Sequence, residues 1–326
     1  MFSRIVVPLD GSARAERAAL TAARIARSAG SSLVFLRVVE VPVRTGPAFE
    51  APPVMLGQIE QDVVGATEYL RRLAGRPEFA DIPIDDVALE GRVAETILET
   101  AADEHADLLV MCSHGQGGAF RWALGSVARE LARHAAIPVL ILREEGAIPG
   151  GPGVTMAHTA AVALDGSAFS ERGIEAAAML LSSLSDQTPA ELLLVRVVFQ
   201  KDSERGAHPQ EATALAEARA YLEQVLEQHA NSIRPYNVRL RSLVLQGDDV
   251  AGRLINLAHA APQEGLVSGV DFLAIATHGR GGFQRLRQGS VTERILRTSR
   301  MPLLVFPMLA PSAETTDTAT TELHHD

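Results

Sequence analysis

The sequence predicts an α/β protein of two tandem domains, each a five-stranded parallel sheet in the order 3-2-1-4-5 with helices on both faces. Three observations predict it. Strand-sized apolar runs alternate with helix-forming runs, the alternation is repeated with the same landmarks in the same order, and a Pro/Gly-rich join separates the two copies. Alternation matters because parallel neighbours need a crossover, and right-handed crossovers carry the helices to both faces of the sheet. A chain of 326 residues is long enough for each copy to bury its own core.

The first strand is Ile5-Val6-Val7-Pro8-Leu9, ending at Asp10. An alanine-rich helix over 13–28 follows, with Ser12 as its N-cap. The second strand is Leu33 to Val39; then comes an irregular stretch over 41–53 with four prolines, and a helix over 55–73. A third strand over 84–89 precedes Gly91 and another helix. The fourth strand, Leu108 to Cys112, opens a glycine loop that leads into a helix over 128–134, and Val139 to Leu142 closes the copy behind Pro138.

The second copy repeats these landmarks. Val162-Ala163-Leu164-Asp165-Gly166-Ser167 matches Val7 to Ser12, and Leu192 to Val198 matches Leu33 to Val39. The helix at 211–230 sets Leu215, Ala218, Leu222, Val225, Leu226 and His229 on one face, and the third strand is expected at 238–245 before Gly247. Thr277-His278-Gly279 through Gly289-Ser290-Val291 matches Ser113-His114-Gly115 through Gly125-Ser126-Val127, with nine residues between the glycines each time. A helix over 292–297 leads to the closing run Leu303 to Phe306 behind Pro302. Each unit reads as flavodoxin-like, or Rossmann-like. The expected boundaries are 1–144, a linker at 145–158 containing Pro149-Gly150-Gly151-Pro152-Gly153, 159–309, and a polar, disordered tail at 310–326. The closing strands would expose apolar edges in separate domains, so they are the expected contact in an intramolecular pseudo-dimer, with homodimerisation of the chain also open.

A formal charge of −10 argues against a face built to grip nucleic acid or an anionic membrane. No apolar run approaches the ~20 residues of a spanning helix, and the N-terminus lacks a signal-peptide pattern. The single cysteine, Cys112, forms no intramolecular disulfide, so a cytoplasmic setting is expected. Small molecules and an unknown protein partner remain as the expected ligands.

In a doubly wound sheet, ligands bind beyond the carboxyl ends of the strands where the strand order reverses. That rule selects the loops after the first and fourth strands, the same loops the duplication repeats. Asp10 and Asp165 are placed either to cap the next helix or to accept hydrogen bonds from a base amine or ribose hydroxyl. The loops carrying Gly115 and Gly279 bring backbone N–H groups close to a phosphate, and the helices behind Gly125-Ser126-Val127 and Gly289-Ser290-Val291 offer their positive ends to the same anion. The second loop adds Arg280, Arg285 and Arg287 where the first has Gln116, Arg121 and Ala123, so it is the better anion receptor. His114 and His278 belong to no nucleophile–base constellation and read as loop-shaping residues. Lys201 is the only lysine and lies outside the glycine loops, so no Walker lysine exists. This favours a binder over a phosphoryl-transfer enzyme.

These residues resemble the universal stress protein family, in its tandem, ATP-binding form, over nearly the whole chain. The family signature, Gly-x-x-Gly-x9-Gly-Ser/Thr after the fourth strand with an Asp after the first and a Val late in the second, is matched twice except at its first glycine. Cys112 and Ala276 stand there. The resemblance implies that Asp10 and Val38, or Asp165 and Val197, hold adenine. It implies that Gly115, Gly125, Ser126 and Val127, or Gly279, Gly289, Ser290 and Val291, hold ribose and phosphates. It further implies ATP as cofactor, with Mg²⁺ or Mn²⁺ bound through the phosphates, and a regulatory role in stress response. A nucleotide-free scaffold with vestigial crevices, or a slow ATP hydrolase, are the alternatives.

Overall fold

The computed structural model describes residues 1–41, 53–113, 124–143, 158–186, 188–200, 209–257, 269–277 and 290–306. The linker up to residue 157, the tail, Lys201, most of the irregular stretch after the second strand, and both glycine loops with Gly115, His114, Gly279, His278, Arg280 and Gly289 lie outside the described residues.

The first half runs β1 (Arg4–Pro8), α1 (Ala13–Ala29), β2 (Ser32–Glu40), α2 (Pro53–Ala74), β3 (Ile84–Gly91), α3 (Val93–Asp103), β4 (Leu108–Cys112), α4 (Ser126–His134) and β5 (Val139–Leu142). The second runs β6 (Thr159–Ala163), α5 (Ala168–Glu171), α6 (Gly173–Leu184), β7 (Ala190–Phe199), α7 (Pro209–Ile233), β8 (Val238–Gly247), α8 (Val250–Asn256), β9 (Phe272–Ala276), α9 (Ser290–Thr298) and β10 (Leu303–Phe306). Ser12 caps α1 by accepting from Ala15 N at 3.1 Å, and Ser167 caps α5 by accepting from Ser170 N at 3.2 Å. Two departures from the sequence reading have local causes. Helices α2 and α7 start earlier than the apolar periodicity does, each opening on a proline, which the first helical turn tolerates. The helix that is continuous in α1 is split between α5 and α6, with Gly173 at the break.

All strands form a single ten-stranded sheet in the order β3-β2-β1-β4-β5-β10-β9-β6-β7-β8. Pairing is parallel within each half, as at Val6↔Val34 and Val162↔Leu194, and antiparallel where β5 meets β10. There the partners are Leu303↔Ile141, Leu304↔Leu140 and Val305↔Val139. Leu140 and Leu304 are the same position of the two repeats, so a pseudo-two-fold axis passes through their pair.

The sheet is covered on both sides, which is why its central strands read as unbroken apolar runs rather than alternating ones. One core lies under α1, α2, α6 and α7 and contains Ile5, Val7, Phe35, Leu70, Val162, Leu180, Leu194 and Leu222. The other lies under α3, α4, α8 and α9 and contains Val6, Leu109, Leu131, Ile141, Leu254, Ile275 and Val305. Each core runs through both halves. Fully burying each such side chain stabilises the fold by roughly 1.5–3 kcal/mol before conformational entropy is counted. The order of strands leaves two reversal points, between β1 and β4 and between β6 and β9.

Candidate functional site

At each reversal point the loop after the first strand turns sharply on a glycine. Gly11 and Gly166 have φ of 83° and 85°, a left-handed conformation that a Cβ disfavours. The turn is fixed by the preceding carboxylate. Asp10 Oδ1 accepts from Ser12 N at 2.9 Å, and Asp165 Oδ1 accepts from Ser167 N at 3.0 Å and from Ser167 Oγ at 2.5 Å. Capping of α1 and α5 falls to Ser12 and Ser167, so Asp10 and Asp165 shape the loop instead.

Helices α4 and α9 start beside the carboxyl ends of β4 and β9. Gly125 N donates to Ser113 O at 2.9 Å, which ties the end of the loop after β4 to its beginning. Gly125 precedes α4 with φ of −57°, a conformation open to any residue, so a demand for glycine there rests on close approach and not on the backbone angle. Ser126 and Ser290 are exposed at the first positions of α4 and α9, where unpaired N–H groups and the helix dipole favour an anion. In the second half Thr292 Oγ1 donates to Ala276 O at 2.9 Å and fastens the first turn of α9 to the end of β9.

A cleft lies at each reversal point. In the second half it measures about 390 Å³, and Asp165, Val197, Ala276, Ser290 and Val291 all line it. In the first half it measures about 170 Å³ and is lined by Asp10, Val38 and Val127, while Gly125 and Ser126 are absent from its lining among the described residues. Thus the second half brings residues of the first-strand loop, the second strand and the helix end into one cavity, and the first brings together fewer of them. A larger cavity of about 1070 Å³ lies at the opposite, amino ends of β6 to β8, between the sheet and α7, remote from the reversal points.

One duplicated constellation escaped the sequence reading. The Arg37 guanidinium lies 5.0 Å from the ring centre of Tyr69, whose hydroxyl donates to Glu16 Oε1 at 3.3 Å. Its counterpart sets Arg196 at 4.9 Å from Tyr221, whose hydroxyl donates to Glu171 Oε1 at 2.8 Å. Burial, with Glu16 alongside, pushes the Tyr69 hydroxyl up to about 12, and burial raises Tyr221 as well. Arg196 also lines the second cleft. The signal was available: an arginine interrupts the second apolar strand at the same place in both copies. Beside the first cleft, burial pushes the Cys112 thiol up to about 11, which favours its protonated form at neutral pH.

Among the described residues no group of three or more His, Cys, Asp or Glu could hold a metal ion, and no helix is long and apolar enough to cross a membrane. The sequence model of the universal stress protein family matches residues 1–143 and again 156–307. A universal stress protein of Mycobacterium tuberculosis is 25% identical over 306 residues, covering 92% of this chain and 96% of its own. One from Thermus aquaticus is 33% identical over 147 residues, which span its whole length and 44% of this chain. Among solved structures, a universal stress protein from Archaeoglobus fulgidus superposes with a TM-score of 0.62 at 18% identity, covering 93% of this chain and 96% of that one, a likeness of fold.

Proposed function

The chain belongs to the universal stress protein family, and from that premise we propose that it is a regulatory adenine-nucleotide binder that takes ATP at the reversal-point cleft. The observation that carries this reading is the second cleft, where a carboxylate loop, an apolar wall and a helix N-terminus share one cavity of about 390 Å³. A cavity of that size falls in the ~300–1,000 Å³ range of small-molecule sites.

In this reading Asp165 accepts hydrogen bonds from the base amine or a ribose hydroxyl, and Val197 packs on the base. Ser290 and Val291, with Gly279, Arg280 and Gly289 of the adjoining loop, face the ribose and phosphates. Asp10, Val38, Gly115, Gly125, Ser126 and Val127 are the corresponding set of the first half. The residues fit a nucleotide because the helix end supplies uncharged and dipolar donors for phosphate without a lysine. With no protein cluster to hold a metal among the described residues, Mg²⁺ or Mn²⁺ is proposed to be held through the phosphates. The same lack of a lysine at the loops supports binding rather than turnover. A protein partner that reads the bound state, and a cytoplasmic setting, belong to this reading.

Titration of the purified chain with Mg-ATP tests it. Saturating binding should release or take up heat and should stabilise the fold, by about 2.7 kcal/mol at a ligand concentration near 100 times Kd. If millimolar Mg-ATP produced neither heat nor thermal stabilisation, the nucleotide-free scaffold would replace this reading.

A further inference from the structure

Every residue lining the first cleft has its repeat counterpart in the lining of the second, and most of the pairs that differ clearly in size are larger in the first. Pro8, Leu36 and Cys112 line the first where Ala163, Val195 and Ala276 line the second. Ala15, opposite Ser170, is the smaller member of its pair, and Ile97 opposite Leu254 and Met111 opposite Ile275 are nearly equal in volume. Cys112 does more than occupy space. Its Sγ donates to Arg14 O at 2.8 Å, so it joins the end of β4, which lines the cleft, to the first turn of α1. Ala276 has no atom that could make this link. Leu36, fully buried, lines the same cleft and is one methylene longer than Val195. The first cleft, about 170 Å³, falls below the ~300 Å³ at which small-molecule sites begin, and its described lining stops at Val127. The second continues past Val291 to Ser290 and Thr292 at the helix end.

From this we infer that the chain is a one-site protein: Cys112 and Leu36 hold the first crevice closed to nucleotide, and only the second binds it. This rests on the nucleotide reading given above and adds to it which site works and which side chains decide. Duplication has therefore left one receptor and one structural copy. The bridging thiol also explains why a cysteine is tolerated at a ligand-facing strand end. Neutral and hydrogen-bonded, it acts as a fastener.

Calorimetric titration with Mg-ATP decides the matter through stoichiometry, with the melting curve of each variant checked separately. The native chain should bind one nucleotide. Ala276→Leu, which enlarges a lining residue of the second cleft, should bind none. The pair Cys112→Ala and Leu36→Val, which copies the second lining into the first, should bind two. The second event should vanish when Asp10→Ala is added. Two nucleotides on the native chain, one retained by Ala276→Leu, or no gain in the Cys112→Ala/Leu36→Val variant would each overturn the inference while leaving nucleotide binding intact. No binding by any of them would overturn the functional reading and this inference with it.

Discussion

At the scale of single residues, Asp165 holds its loop and, in the proposed function, also meets the ligand, two roles that one substitution can separate. Its Oδ1 accepts from Ser167 N and Oγ and so holds the turn at Gly166, while its charge is what the proposed contact with base or ribose uses. Asn keeps an acceptor oxygen of the same shape and lacks the charge. Asp165→Asn should therefore leave the melting temperature within a degree or two and weaken Mg-ATP by about ten- to hundred-fold, the worth of a hydrogen bond to a charged group at ~1.5–3 kcal/mol. Asp165→Ala removes both and should lose stability as well as affinity. If Asn bound nucleotide as tightly as Asp, the carboxylate would be a loop residue alone. The identity of these positions was legible in the sequence because Asp-Gly-Ser recurs after the same apolar run. What their side chains bond to was not, since Asx turns and helix caps draw on the same residue types.

At the scale of elements, strand positions and order were legible to within a residue or two because each strand is a short apolar run bounded by turn residues. Contacts that join distant segments were not. Gly173, at the break between α5 and α6, sits so close to β10 that a Cβ there would overlap the ring of Phe306, which is itself buried. The repeat shows how this arose: the first half has Ala18 and Leu142 at the equivalent places, both fully buried. A larger helix residue goes with a smaller strand residue, and the reverse. Gly173→Ala should destabilise the fold by about 1–3 kcal/mol through overpacking, despite the ~1 kcal/mol that alanine gains over glycine in helix propensity. Adding Phe306→Leu should restore most of that loss, because it recreates the pair that the first half already packs. Urea denaturation of the two single variants and the double supplies the cycle, and additive losses would show that the two positions do not pack on one another.

At the scale of the whole molecule, what joins the halves decides whether they can act separately. The β5–β10 pairing completes one sheet, and each face of that sheet carries a core drawn from both repeats. Arg143, just past β5, reaches across and donates through Nη2 to Leu296 O in the last turn of α9, while its Nε has no partner and burial pulls its guanidinium down to about 10. Guanidinium stays charged in proteins, so that depression measures a desolvation cost rather than a proton loss. The cation sits where the helix dipole is negative, at the far end of the helix whose start lines the second cleft. Position 307, the counterpart of Arg143, is a proline, which has no side-chain donor for an equivalent bond. With the interface this continuous, the halves should unfold as a single cooperative unit, with calorimetric and van't Hoff enthalpies in agreement, although two domains of this size could melt apart. The sensitive point is the pseudo-two-fold pair, Leu140 and Leu304, both almost fully buried. Leu304→Asp places an unpaired carboxylate there at a cost of roughly 3–5 kcal/mol. That should lower the first transition by ~10 °C and divide the melt in two, since the loss falls on the seam rather than on either reversal point. Nucleotide should then raise only the transition of the second half. A single undivided transition in Leu304→Asp, shifted or not, would show that the halves are coupled through the helices on the two faces and not through the strand seam.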